Sequence, residues 1–404
     1  MQPLDAAVAR AVGLATPAEP IEVSLAEAVG LVLAEPAIAD VDLPPFDRAS
    51  ASGFAVRAAD AVVGALLRVA SPWSDDGHEI DPGEAARVEA GAAMPVGADA
   101  VLDPDAVRAD PLDGPPRVVE ILRRARPGRS VARRGTTLAA GSVLLPAGTR
   151  LRPSMVPLLA SQGCVHPVCH RRVRAAIVAV GDHLIGPAES PVLHRERNAA
   201  NLAVGSLLLE ASAMTHDLGS ISASEFPRAL DRALNAHVVL ILGRLDGEAK
   251  RALAKAGAEP SLAGIALEPG GAEVGHAVVR EAEGGPITCH VVHLPLDPIE
   301  AVVATSLFVL PLVARLQGEA GPTPSLVVVW DGPALDDGDR PRAVPAILKV
   351  DVGGCLVASP AAGQGPADLP DLARADGLAL IGPGPGNATA RFVPFGGWPG
   401  RVGP

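Results

Sequence analysis

The chain has 404 residues, 48% apolar and 20% charged, with a formal net charge of −12; this places it among globular proteins of roughly two to four domains. Aromatic residues make up only 2% and tyrosine is absent, which argues against stacking platforms for nucleic acid, and the acidic balance argues against any polyanion surface. No apolar run approaches a bilayer span, residues 1–16 lack the charged start and apolar centre of a secretion signal, and the four cysteines are scattered apart from Cys164 and Cys169, so a reduced, cytoplasmic protein is expected.

Residues 4–32 show helical periodicity in two pieces. Leu4, Val8, Ala11, Val12 and Ala15 share one face, and Leu25, Ala28, Val29 and Val32 share another beyond Pro17 and Pro20. Residues 43–56 are rich in Pro, Ser and Gly and read as loop. Between 61 and 122 short apolar runs alternate with turn signals such as Pro82-Gly83 and Asp113-Gly114, suggesting a small β-rich insertion. Residues 135–151 give short strands and 153–163 a short helix. The stretch 173–180 is almost continuously apolar, as a strand buried on both faces requires. Helices at 201–213, 225–236, 248–256 and 298–316 then alternate with strands at 214–221, 237–242 and 287–294, the pattern of a parallel α/β domain. After Gly318 the helices stop, and short strands at 325–330, 343–350, 354–358, 377–381 and 388–394 fit a small β-barrel or sandwich.

Cys164, His166, Cys169 and His170 have the residue types of a zinc site. They fall in an expected strand whose side chains alternate between faces, so the four do not readily converge.

Four segments, in order, resemble landmarks of the molybdopterin molybdenumtransferase family, which includes the E domain of gephyrin. They are DLPPFDRASASGFAVR (42–57), AGAAMPVGADAVL (90–102), the stretch 126–182 with RPG, RRG, AAGSVLLPAGTRL, LLASQG and RRVRAAIVAVGD, and HLPLDPIEAVVATSLFVLPLVARL (293–316). Their shared order and spacing make the match specific. The resemblance implies a multidomain α/β plus β fold: a linker domain (1–40 and 140–172), an inserted β-rich domain (41–139), an α/β molybdopterin-binding-like domain (173–317) and a C-terminal β-barrel (318–404). It also implies molybdenum cofactor biosynthesis in a homodimer, with molybdate inserted into adenylylated molybdopterin with the help of Mg²⁺. A pterin is then the small-molecule partner, other cofactor-biosynthesis proteins are further partners, and neither nucleic acid nor membrane is one.

Such chemistry needs carboxylates for the cation, and cationic, hydroxyl or backbone N–H groups for phosphate and oxyanion. The resemblance places Asp47 and Asp182 as catalytic candidates, Ser52, Gly53, Gly181, Asp246, Pro295 and Asp297 at the cofactor, and Asp182 with Asp246 at the metal. Asp182 follows the first parallel strand, where open α/β sheets bind ligands, yet a turn or helix-capping aspartate reads equally from the residues alone. Asp47 and Asp99 likewise read either as site residues or as turn residues that bind local backbone. Ser52 stands where the family carries an Asp, Ala90 replaces a Thr, and His183 replaces the acid after Asp182. Gly243-Arg244-Leu245-Asp246 is shorter than the family's glycine-rich phosphate loop. Glu268-Pro269-Gly270-Gly271-Ala272 lacks the family's two lysines, and Leu296-Asp297 fills the place of a Gly-Asn pair. The arginines at 123, 124, 126, 129, 133 and 134 read as a solvated basic loop or as a holder for the pterin phosphate. Two functions follow: a transferase with a remodelled site, or a catalytically inactive relative, a pseudoenzyme acting as a pterin-binding or partner-binding module.

Overall fold

A computed structural model describes residues 1–70, 79–110, 116–280, 288–321, 324–333, 340–362, 367–383 and 388–396. The expected turn at Asp113-Gly114 lies outside them. The chain forms two compact units, one of residues 1–35, 147–153 and 166–404, the other of 36–146 and 154–165.

The larger unit is built on a six-stranded sheet: β1 (Arg174–Val180), β2 (Met214–Ile221), β3 (Val238–Gly243), β4 (Glu259–Ala263), β5 (Gly275–Val279) and β6 (Cys289–Leu294), in the spatial order β2-β1-β3-β6-β5-β4. The first four in that order are mutually parallel, and β5 and β4 are antiparallel. Period-two geometry sends alternate residues of β1 to opposite faces. Ala175, Ile177 and Ala179 pack with Leu4 and Ala7 of helix α1 (Leu4–Leu14), with Val204 and Leu208 of α2 (Ala200–Glu210), and with the long helix opened by α5 (Pro298–Ala304). Ala176, Val178 and Val180 pack with Phe226 and Leu230 of α3 (Phe226–Ala233) and Ala249 of α4 (Gly247–Lys255). Both faces are covered, which is why β1 and β3 contain almost no polar residue.

The expected strands and helices of this unit are present, but the antiparallel strands β4 and β5 were not foreseen. Leu25–Ala28 is a single helical turn where a longer helix was expected: Val29 is already extended at ψ 127°, and Gly30 turns the chain at φ +85°. One expectation is corrected: the helix Pro298–Leu316 spans 19 residues at mean hydropathy 1.9, enough by length and composition to cross a membrane. Its apolar window is 72% buried inside the protein, so its lack of a polar face reflects a helix surrounded by core. A π-helical segment at Thr305–Val309 precedes Pro311, which has no N–H to donate into a regular helical ladder.

Downstream, Leu326–Trp330, Arg342–Val350, Leu356–Pro360, Gly377–Ile381 and Thr389–Pro394 form a closed barrel around Val328, Leu348 and Phe392. The expectation that helices end at Gly318 is corrected by Leu369–Arg374, started by a reciprocal capping box between Asp368 and Asp371.

The smaller unit carries a six-stranded, mainly antiparallel sheet of Ala100–Leu102, Gly53–Val56, Glu84–Val88, Leu66–Val69, Val118–Ile121 and Val107–Asp110, in that spatial order. Phe54, Val56, Leu67 and Ile121 form its core.

Candidate functional site

The chain order of the parallel strands, β1, β2, β3, β6, against their spatial order β2-β1-β3-β6 puts a reversal of winding between β1 and β3. The connections leave in opposite directions there and open a crevice at the carboxyl ends of the strands. A cavity of about 380 Å³ occupies that place, lined by Val180, Gly181, Asp182, His183, Ala223, Gly243, Arg244, Glu273 and Leu296.

Gly243 is required by the fold: at φ +103° its added Cβ would stand 2.5 Å from the Val180 carbonyl oxygen. The last residues of β1 and β3 thus meet backbone to backbone at the cavity wall. The Gly243 carbonyl accepts a hydrogen bond from His293 Nε2, and Gly181 donates its N–H to the Ile221 carbonyl at 3.0 Å. Asp182 is exposed and makes no hydrogen bond or ion pair among the described residues, and Arg244 is likewise unpaired among them. His183 Nε2 lies 3.4 Å from Glu196 Oε1. Near the lining residue Glu273, burial, followed by the Asp297 and Glu273 charges, pushes the Glu300 carboxyl above the usual carboxylate range.

The sequence candidates separate on this geometry. Gly181 and Asp182 line the cavity. Asp246 accepts the Ala249 N–H at 2.8 Å as the cap of α4, and Asp297 accepts those of Ile299 and Glu300 at 2.9 and 3.1 Å as the cap of α5; neither lines the cavity. Pro295 packs on Gly270, whose added Cβ would meet its Cγ at 3.1 Å. Asp182 and Asp246 therefore do not form a shared carboxylate wall, and Glu273 is the second acid on the lining. Glu273 follows directly on the 268–272 turn, so its neighbourhood was legible but its direction was not. Ala223, in the loop after β2, carried no signal. Leu296 does reach the cavity, in keeping with a side chain that hinders close approach of a ligand to backbone.

Asp47, Ser52 and Gly53 belong to the smaller unit. Asp47 accepts Arg133 Nη1 at 2.7 Å and the Arg134 N–H at 2.8 Å. The Arg134 backbone N–H, followed by the Arg133 guanidinium, holds its carboxyl below the usual range against the opposing effect of burial. Ser52 Oγ accepts the Ala90 N–H at 3.0 Å. A Cβ on Gly53 would stand 2.1 Å from the Leu102 carbonyl oxygen, so strand packing alone demands glycine there. Asp99 Oδ1 accepts the Ala58 N–H at 2.7 Å. The basic loop is largely neutralised: Arg123, Arg129, Arg133 and Arg134 pair with Asp105, Asp103, Asp47 and Asp42. Of the zinc-type residues, Cys169 is buried, His170 Nδ1 lies 2.6 Å from the Ala18 carbonyl oxygen, and no cluster of three metal-ligating side chains exists among the described residues.

Residues 2–163 match the family described as MoeA N-terminal region, domains I and II. Molybdopterin molybdenumtransferase 1 of Mycobacterium tuberculosis is 29% identical over 359 residues, covering 81% of each chain. The molybdopterin molybdenumtransferase of Haemophilus influenzae is 29% identical over 310 residues, 73% of this chain and 72% of that one. The crystal structure of a molybdopterin biosynthesis MoeA protein from Pyrococcus horikosii superposes with a TM-score of 0.79 at 24% identity, covering 98% and 99% of the two chains, a likeness of fold.

Proposed function

We infer from the chain's place in the MoeA family, to which it belongs as a divergent member, that it works in molybdenum cofactor biosynthesis as a molybdopterin molybdenumtransferase-like protein. The observation that carries the reading is a cavity at the winding reversal of the α/β sheet, in a chain whose relatives of that name match it over most of its length. These relatives favour that reading over the inactive binding module.

Within it, molybdate and an adenylylated molybdopterin are the substrates, and Arg244 is the cation that meets their negative charge. Mg²⁺ commonly takes one or two protein carboxylates plus substrate phosphates, and Asp182 and Glu273 supply that donor set at the lining. No disulfide joins the four cysteines among the described residues, which suits a reducing, cytoplasmic setting. Homodimerisation and the four-part domain division belong to the same reading. Titrating the protein with molybdopterin, followed by pterin fluorescence, tests it. Arg244→Ala is expected to weaken binding by about tenfold, the scale of one lost charge-assisted hydrogen bond. Unchanged affinity in both Arg244→Ala and Asp182→Asn would remove the cavity from the substrate's path.

A further inference from the structure

The cavity wall at the end of β3 hangs on one side chain of β6. His290 donates its N–H to the His237 carbonyl at 2.9 Å, and the ladder between the two strands keeps that register as far as Leu242↔Leu294. Its two-residue repeat, continued past that pair, would bring the Leu296 N–H to the Gly243 carbonyl. The chain bends instead at Leu296 and Asp297, and Leu296 joins the cavity lining. His293 Nε2 donates to the Gly243 carbonyl in place of the missing ladder bond. A carbonyl only accepts, so Nε2 carries the hydrogen. His293 stands two residues after Val291, on the sheet face covered by α3 and α4, the side on which the chain leaves Gly243 for α4.

This bond fixes one end of the loop that leads to α4. At the other end Asp246 accepts the Ala249 N–H at 2.8 Å, and between them Leu245 packs against the core under α3 and α4. Arg244 is the remaining residue of the loop, and it is the only arginine or lysine on the cavity lining among the described residues. No carboxylate among those residues holds its guanidinium, so its place depends on the backbone that carries it. A cation on a fixed backbone loses less conformational freedom when an anion binds, and the affinity is correspondingly higher.

We propose that His293 is a positioning residue of the cavity: through Gly243 it sets the place of Arg244, and with it the strength with which the cavity holds an anionic group. The inference rests on the role proposed above for Arg244 and adds the side chain that supports it. Histidine suits the task because Nε2 lies at the far edge of a rigid ring and reaches from β6 to the end of β3. Glutamine carries an amide N–H at a similar reach, whereas asparagine ends one methylene short.

The test titrates the full chain with molybdopterin, followed by pterin fluorescence, and with inorganic pyrophosphate, followed by calorimetry. The variants are His293→Asn, His293→Gln, Arg244→Ala and the double variant Arg244→Ala/His293→Asn. His293→Asn is expected to weaken both ligands by about tenfold, and His293→Gln by less than about twofold. In the Arg244→Ala background His293→Asn should cause no further loss, because a residue that acts through Arg244 then has nothing to position. A merely structural role would add its loss to that of Arg244→Ala. Additive losses, or equal affinities in the Asn and Gln variants, would overturn the proposal. If Arg244→Ala weakens molybdopterin binding and His293→Asn does not, the functional reading stands and the positioning role falls. If pyrophosphate follows the expected pattern and molybdopterin does not bind, the positioning role stands and the functional reading falls. Binding of neither ligand by the unaltered chain would overturn both.

Discussion

Aspartates of one residue type do two different jobs in this chain, and hydrogen-bond partners tell them apart. Asp42, Asp47, Asp99, Asp246 and Asp297 hold backbone N–H groups of turns and helix starts, whereas Asp182 faces the cavity unpaired among the described residues. Asp246→Ala is therefore expected to lower stability by about 1 kcal/mol, the usual worth of a helix cap, and to leave molybdopterin affinity unchanged. Asp182→Asn should do the reverse; a denaturant series paired with a binding titration separates them. The caps were partly legible, since Asp297 stands before a helix with Pro298 in its first turn. What was not legible is which carboxylates converge, because Glu273 comes from a different loop than Asp182. His276 Nε2 lies 3.0 Å from His290 Nδ1 inside the sheet, and Ser261 Oγ bonds His276 Nδ1. Burial pushes His276 down to about 3 and His290 to about 4. The unfolded chain binds protons at these positions near pH 6.5 while the folded chain does not, so their stabilising contribution is complete above pH 6.5 and declines as pH falls toward 4. Burial also lowers His237. Melting temperatures of His276→Gln/His290→Gln are expected to fall less steeply across that window than those of the unaltered chain; equal slopes would contradict the assignment. The depressed carboxyls of Asp42 and Asp47 act in a lower window, below about pH 4.

At the scale of elements, the parallel strands were readable because burial on both faces leaves uninterrupted apolar runs at 175–180 and 238–242. Strands β4 and β5 escaped for the opposite reason. They are short, lie toward the antiparallel edge of the sheet, and are broken by Pro260, Gly264 and the Gly270-Gly271 turn. The six-residue helix Leu369–Arg374 is too short to show periodicity, and its Asp368/Asp371 cap was its only sequence signal. The long apolar helix ties α1 and α2 to the sheet, with Phe308 1% exposed and its ring edge-on to His276 at 6.1 Å between centroids. Phe308→Ala should cost about 3–5 kcal/mol, the range for truncating a buried aromatic, measured as a shift in denaturant midpoint at unchanged slope. A loss under about 1 kcal/mol would mean that the helix is not the keystone its burial indicates.

At the scale of the molecule, the landmarks that resemble the family's lie mostly where turns and cores are made, and the departures lie at positions to which the resemblance assigns contacts with substrate charge. Cores tolerate exchange among apolar residues of similar volume, so a fold stays readable while its site changes. Near the site a few substitutions suffice to reverse a field: the stretch 268–272 lacks two lysines, pairs Glu268 with Arg342 at 3.5 Å and is followed by Glu273 on the cavity lining. Under the proposed function, this remodelled site still handles an adenylylated pterin. The most direct measurement incubates the purified chain with adenylylated molybdopterin, Mg²⁺ and molybdate and follows release of the nucleotide. The expected result is molybdate-dependent release that falls at least tenfold in Arg244→Ala, corresponding to about 1.4 kcal/mol. No release above a protein-free control, with the pterin still bound, would contradict it.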